Sequence, residues 1–214
     1  MLESYLTIKG EGEHEIVIQK SRFIGYVKRT ETEEEAQQFI QQIKKKHYQA
    51  THNCSAYMIG EQNLTQKAND DGEPSGTAGV PMLEVLKKMD LKDTCVVVTR
   101  YFGGIKLGAG GLIRAYSSAT SEAIKHVGVV RRSLMKEIII EADYHLLGKV
   151  ENELRNQNHL IDSIDYADLV KFHVYVPIAD TESFQQWMTD FTNAQVKLSV
   201  GNERHMEVDV SLNE

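Results

Sequence analysis

Thr94-Cys95-Val96-Val97-Val98-Thr99 has no polar face. A strand of that kind is stable only when both of its sides are covered, so the chain must build layers around it. The residues that follow are as unusual. Arg100-Tyr101-Phe102-Gly103-Gly104-Ile105-Lys106-Leu107-Gly108-Ala109-Gly110-Gly111-Leu112-Ile113-Arg114-Ala115-Tyr116 leads from the buried strand into a helix. A loop is expected over 100–110. The helix behind it turns Leu112, Ala115, Tyr116, Ala119, Ala123 and Val127 inward, and Gly128 stops it with a left-handed cap.

Upstream, His14, Ile16 and Ile18 alternate with polar neighbours, and Phe23-Ile24-Gly25-Tyr26-Val27 reads as a buried strand. Thr30-x-x-Glu33 has capping-box spacing for a helix with the stripe Ala36, Phe39, Ile40 and Ile43. Lys44-Lys45-Lys46 then lie at the negative end of the helix dipole, which explains that basic run without a ligand. His52–Ile59 reads as a strand, 60–80 as a polar loop, and Pro81 as the opening of a helix that buries Leu83, Leu86 and Met89. Arg131-Arg132-Ser133 is the linker candidate. Behind it come a strand (134–142), a helix (146–157), strands (161–166 and 169–177), a helix capped by Asp180 (180–192) and two strands (195–200 and 204–212). The last two are joined by a Gly201-Asn202 hairpin turn. This is the split-βαβ, ferredoxin-like order with one extra strand. The expected division is 1–132 and 133–214.

Charge supports the same division. Residues 1–133 hold 18 basic and 16 acidic side chains, whereas 134–214 hold 6 and 15, which together make the net −7. Nothing approaches the run of about 18 apolar residues that a membrane span needs, and the opening residues lack the apolar stretch of a signal peptide. A soluble, cytoplasmic protein with no membrane partner is expected. Cys54 and Cys95 form no disulfide framework and are expected to remain thiols.

The chemistry concentrates at the glycine-rich stretch. Gly103, Gly104, Gly108, Gly110 and Gly111 let backbone amides approach a ligand, the helix start adds a partial positive charge, and Arg100, Lys106 and Arg114 add full ones. Together they suit phosphate. Ala109-Gly110 stands where a Walker loop has Lys-Ser/Thr, and Ile113 stands where a dinucleotide fingerprint has its third glycine. A crossover packed tightly between helix and sheet is the competing structural explanation. His52, Cys54 and His47 do not complete a zinc set. Asp70, Asp71 and Glu73 suit either a solvated turn or Mg²⁺ held beside a phosphate. No catalytic residue, resident metal or cofactor is assigned.

Four segments carry a family resemblance: Lys20-Ser21-Arg22-Phe23-Ile24, His52-Asn53-Cys54-x-Ala56-Tyr57, Asp70-Asp71-Gly72-Glu73-Pro74-x-Gly76-Thr77-Ala78-Gly79, and 100–116. In this order, over roughly 15–125, they resemble the IMPACT family. Residues 134–214 resemble the ferredoxin-like domain of its bacterial members, which is similar to a C-terminal domain of elongation factor G. The resemblance implies an α+β protein. Its N-terminal β-α domain would be like domain IV of elongation factor G and a small-subunit ribosomal protein, followed by a ferredoxin-like α/β sandwich. Eukaryotic members regulate translation by restraining a kinase that senses uncharged tRNA, largely through a further N-terminal domain not expected here, so that pathway is not carried over.

What the resemblance implies is a translation-linked protein that contacts RNA or the ribosome. The ligand residues proposed for it are Arg22, His52, Asn53, Arg100, Tyr101, Gly103, Gly104, Lys106, Gly108, Gly110, Gly111 and Arg114. Asp71, Glu73 and Ser75 border the site on the same implication. Tyr101, Phe102 and Tyr116 are candidates to stack on bases. The alternative is an enzyme acting on a nucleotide or phosphometabolite through the same loop, with Asp71 and Glu73 as metal ligands. The acidic second half suits translation factors or other protein partners.

Overall fold

The computed structural model describes residues 2–60 and 62–211. They fall into two compact units, Tyr5–Arg131 with the residues from Val208 on, and Arg132–Glu207 with those up to Ser4. The protein is α+β.

The first unit is built on an antiparallel sheet. After β1 (Ser4–Ile8), which lies outside this sheet, β2 (Glu11–Ile18), β3 (Ser21–Arg29), β4 (His52–Ile59), β5 (Thr65–Asn69) and β6 (Thr94–Tyr101) pair in the order β2-β3-β6-β4-β5. On β6, Val96 and Val98 pack under α2 (Gly79–Lys88) and α3 (Gly108–Val127), with Phe23, Met58, Leu86, Tyr116 and Ile124. Cys95 and Val97 face α1 (Glu33–Lys46), with Phe39, Ile43 and Tyr57. The apolar run is therefore covered on both sides, as its composition demands. A Cβ on Gly25 would lie 2.7 Å from the Ala119 carbonyl oxygen, so glycine there sets how closely α3 lies on β3.

Several local expectations shift. The α1 cap is Thr32, whose hydroxyl accepts the Glu35 N–H, while the Glu35 carboxylate accepts from Glu31 N. The box is thus two residues later than Thr30-x-x-Glu33, because Thr30 is buried and its backbone N–H donates to the Asp93 carbonyl. The polar stretch 60–80 contains β5, an edge strand without apolar alternation. The helices α2 and α3 begin at Gly79 and Gly108, so the loop after β6 is only Phe102–Leu107 and Gly110 and Gly111 are helical. β1 was not anticipated. It bridges Leu6 to Leu91 and accepts the Lys92 N–H at the Leu6 carbonyl.

In the second unit, β7 (Val129–Ala142), α4 (Leu147–Asn156), β8 (Leu160–Tyr166), β9 (Val170–Pro177), α5 (Thr181–Phe191) and β10 (Lys197–Val210) follow one another, with sheet neighbours β10-β7-β9-β8. That is the ferredoxin-like arrangement. Ile138, Ile140, Val150, Leu154, Phe172, Val174, Phe184 and Met188 form its core. Two expectations are corrected. Arg131-Arg132-Ser133 is no linker but the interior of β7. The Gly201-Asn202 hairpin is absent, and β10 runs straight through. A Cβ on Gly201 would meet the Glu137 carboxylate, which accepts the Asn202 N–H, so this glycine admits a cross-strand contact. Asp180 precedes α5, but its side chain makes no capping bond. Among the described residues, no helix is long and apolar enough to cross a membrane.

A candidate phosphate site at the start of helix α3

Strand parity decides where each proposed side chain points. Arg100 follows Val96 and Val98 on the α2/α3 face, opposite Phe23 on β3 and His52 on β4. Its guanidinium is buried between the Phe23 and Phe102 rings, 5.3 and 5.5 Å from their centroids. Nη1 donates to Glu73 Oε1 at 2.6 Å, and the Tyr116 hydroxyl donates to the same oxygen at 2.8 Å. Arg100 is therefore not a free phosphate ligand, because Glu73 neutralises it inside the protein. Tyr116 cannot stack on a base, since it is fully buried and burial pushes its hydroxyl far above the usual tyrosine range.

The loop 70–79 is held by its own acids. Asp70 accepts N–H groups from Gly76, Ala78 and Gly79, which closes the start of α2. Asp71 takes the Lys44 ammonium at 2.6 Å and the Asn53 N–H at 2.7 Å. The carboxylates of Asp71 and Glu73 thus hold different partners. Among the described residues, no group of three or more His, Cys, Asp or Glu side chains could hold a metal ion. Ser75 is exposed on the loop.

Arg22, Asn53 and Tyr101 lie elsewhere. Arg22 grips Glu15 with two hydrogen bonds of 2.8 Å and covers the Tyr101 ring. Tyr101 shares His47 with Tyr26, the three forming a chain through both imidazole nitrogens at 2.9 and 2.6 Å. Asn53 accepts from Thr99 Oγ1 and donates to the His47 carbonyl. All of these belong to the α1 face, across the sheet from Arg100, so the sheet itself divides the proposed set. The His47 chain was not anticipated, and no spacing in the sequence announces it.

What gathers at α3 is a smaller group. Leu107 occupies the N-cap position without a side-chain capping bond, and no acid lies in the first turn. The amides of Gly108, Ala109 and Gly110 therefore lack the partner that Asp70 supplies to α2. Two recesses flank Leu107. One, about 300 Å³, is lined by Glu73, Arg100, Phe102, Lys106, Gly108 and Leu112 among others. The other, about 230 Å³, is lined by Ile18, Gln19, Gly111 and Arg114 among others. Lys106 and Arg114 are exposed and form no ion pair among the described residues. The glycines divide by task. A Cβ on Gly103 would fall 2.0 Å from the Lys20 carbonyl carbon, so Gly103 is a packing residue. Gly104 and Gly108 hold positive φ of 86° and 69°. Gly110 has nothing nearer than Arg114 Nη1 at 3.7 Å and faces open space.

These features define a two-unit α+β protein whose first unit presents an uncapped, glycine-lined helix start between two exposed cations. The chain belongs to the IMPACT family. The Impact N-terminal domain matches residues 19–124, and a domain of unknown function (DUF1949) matches 140–195. The chain is 60% identical over 211 residues to the IMPACT family member YvyE of Bacillus subtilis (strain 168), covering 99% of this chain and 97% of that one. It is 34% identical over 183 residues to the IMPACT family member YigZ of Escherichia coli (strain K12), covering 85% and 90%. A solved structure described as the crystal structure of an hypothetical protein matches with 32% identity and a TM-score of 0.60, over 95% of this chain and 100% of that one.

Proposed function

We propose that this chain is a translation-linked regulatory protein that contacts phosphates of RNA or of the ribosome at the start of α3. The observation that carries the reading is the uncapped first turn of a 20-residue helix, Gly108 to Gly111, with Lys106 and Arg114 beside it and free of carboxylates among the described residues. Unpaired amides and the helix dipole favour an anion there, and the two side chains supply whole charges. The link to translation is what membership of the IMPACT family suggests. The acidic second unit is the part suited to a protein partner.

RNA binding measured as a function of salt tests the site. Lys106→Ala and Arg114→Ala should each weaken binding and lower the salt slope by about one. The control is a Lys87→Ala, Lys88→Ala double variant, which removes two charges from α2. Equal weakening by the control would place the contact elsewhere.

A further inference from the structure

The recess beside Lys106 has a floor that a phosphate does not require. The side chains of Glu73 and Arg100 are only 3% and 6% exposed. Glu73 Oε1 is saturated by Arg100 and Tyr116. Its other oxygen, Oε2, accepts no hydrogen bond among the described residues, and His52 Nε2 stands 3.7 Å away, beyond bonding reach. His52 Nδ1 lies 2.8 Å from the Asp71 carbonyl oxygen, which only accepts, so Nδ1 carries a hydrogen. Arg100 Nε is a buried donor with no partner.

A nearly buried carboxylate with one open oxygen repels phosphate and calls for an N–H. The walls around it, Phe102, Leu107 and Leu112, are apolar. Phe102 is 46% exposed, although one side of its ring covers Arg100. The opening carries Lys106 and the first amides of α3. An apolar slot with an N–H acceptor at its floor and an anion site at its mouth matches a flat N–H-bearing ring joined to a phosphate. At about 300 Å³ it is at the small end of ligand pockets, with room for a single ring system and none for a duplex.

We infer that this recess takes one unpaired nucleobase of single-stranded RNA, with a base N–H donating to Glu73 Oε2, the ring against Phe102 and the adjoining phosphate at Lys106. Each base carries an N–H on its pairing edge, so the slot selects unpaired over paired bases rather than one base over another. The inference rests on the RNA reading above, but the two fail differently.

The test uses the full chain and four probes: a single-stranded oligoribonucleotide, the same strand in a duplex, an abasic strand of equal length, and a nucleoside monophosphate. The single strand should bind roughly tenfold or more tighter than the abasic strand and the duplex, the gain of one stacked base. Phe102→Ala should erase that difference and leave the salt slope unchanged. Phe102 is half exposed, so a melting curve should show this variant folded, and Glu73→Gln should reduce the same difference. Equal binding of single, abasic and duplex strands with a normal salt slope overturns the inference and leaves the phosphate site standing. An unchanged preference in Phe102→Ala also overturns it. Absence of salt-dependent binding to every strand removes both. Tighter binding of the mononucleotide than of the oligomer overturns RNA as the source of the base.

Discussion

Asp70 is a carboxylate that burial alone would push upward, but three backbone N–H donors from Gly76, Gly79 and Ala78 outweigh burial and hold it below its ordinary 3.8. A group lowered on folding contributes stability that is complete above its unfolded value and is lost as pH falls through the folded one. Asp70→Ala should therefore cost about 0.5–2 kcal/mol at neutral pH, the usual worth of a helix cap. In urea unfolding, the gap between variant and parent should narrow below pH 4; a constant gap would show that the charge of Asp70 is not what caps α2. The thiols offer a second check at this scale. Burial pushes Cys54 up to about 12 and Cys95 higher still, so neither should react with a thiol reagent in the folded protein and both should react once it is denatured without reductant. A bridged pair would contradict this. Strand parity holds the signal that the reading of Arg100 as a free cation left unused: Arg100 sits two positions after Val98 and so points inward with it. Its partner Glu73 lies 27 positions away in a polar loop, and no local pattern joins the two.

Elements were legible wherever a hydrophobic period existed. Ala36, Phe39, Ile40 and Ile43 mark α1, and the unbroken run on β6 marks a central strand. β5, with the sequence TQKAN, lacks such a period because an edge strand need bury little, and β1 supplies its apolar residues in a short run. The glycines of the α3 loop show a different limit. Composition reveals that the backbone is open but not which glycine is needed for packing and which faces ligand. Geometry makes opposite predictions for two of them. Gly103→Ala forces a Cβ against the backbone of Lys20 and should cost about 1–3 kcal/mol, the range for overpacking, in chemical denaturation. Gly110→Ala lies in a helical first turn with open space around it and should stabilise by about 0.4–1 kcal/mol, through a less flexible unfolded chain. A larger residue at 110, such as Val, should leave the fold intact while weakening RNA binding, because its branches stand over the amides. If Gly103→Ala proves harmless, the loop relaxes away from β3 more easily than its close approach implies.

At the scale of the molecule, the order of elements from 134 to 192 was readable because the strands and helices there keep their periods, and that order restricts the sheet to few arrangements. The two closing strands expected on either side of Gly201-Asn202 are instead the single strand β10. The boundary was harder to see. Two arginines and a serine resemble a linker, yet β7 carries them without interruption, its register continuing through Leu134 and Ile138. The cores still separate cleanly. Every member of the second unit's cluster lies between Ile138 and Leu198. The two clusters of the first unit lie between Leu6 and Val129, with Val210 as the sole later contributor among the described residues. Cutting the chain after Arg131 should therefore yield two fragments that each melt cooperatively, the first somewhat less stable for the loss of Val210 and of the rest of β7. The cations and the helix start of the candidate site all remain in 1–131, while most of the acidic excess leaves with 132–214. Fragment 1–131 should thus bind RNA at least as tightly as the whole chain and with the same salt slope, since removing distant like charges reduces repulsion without adding a phosphate contact. Circular dichroism establishes whether each fragment is folded, and a salt titration of RNA binding establishes which one carries the contact. If both are folded and only 132–214 binds, the start of α3 is a packing feature of the first unit and not an anion site.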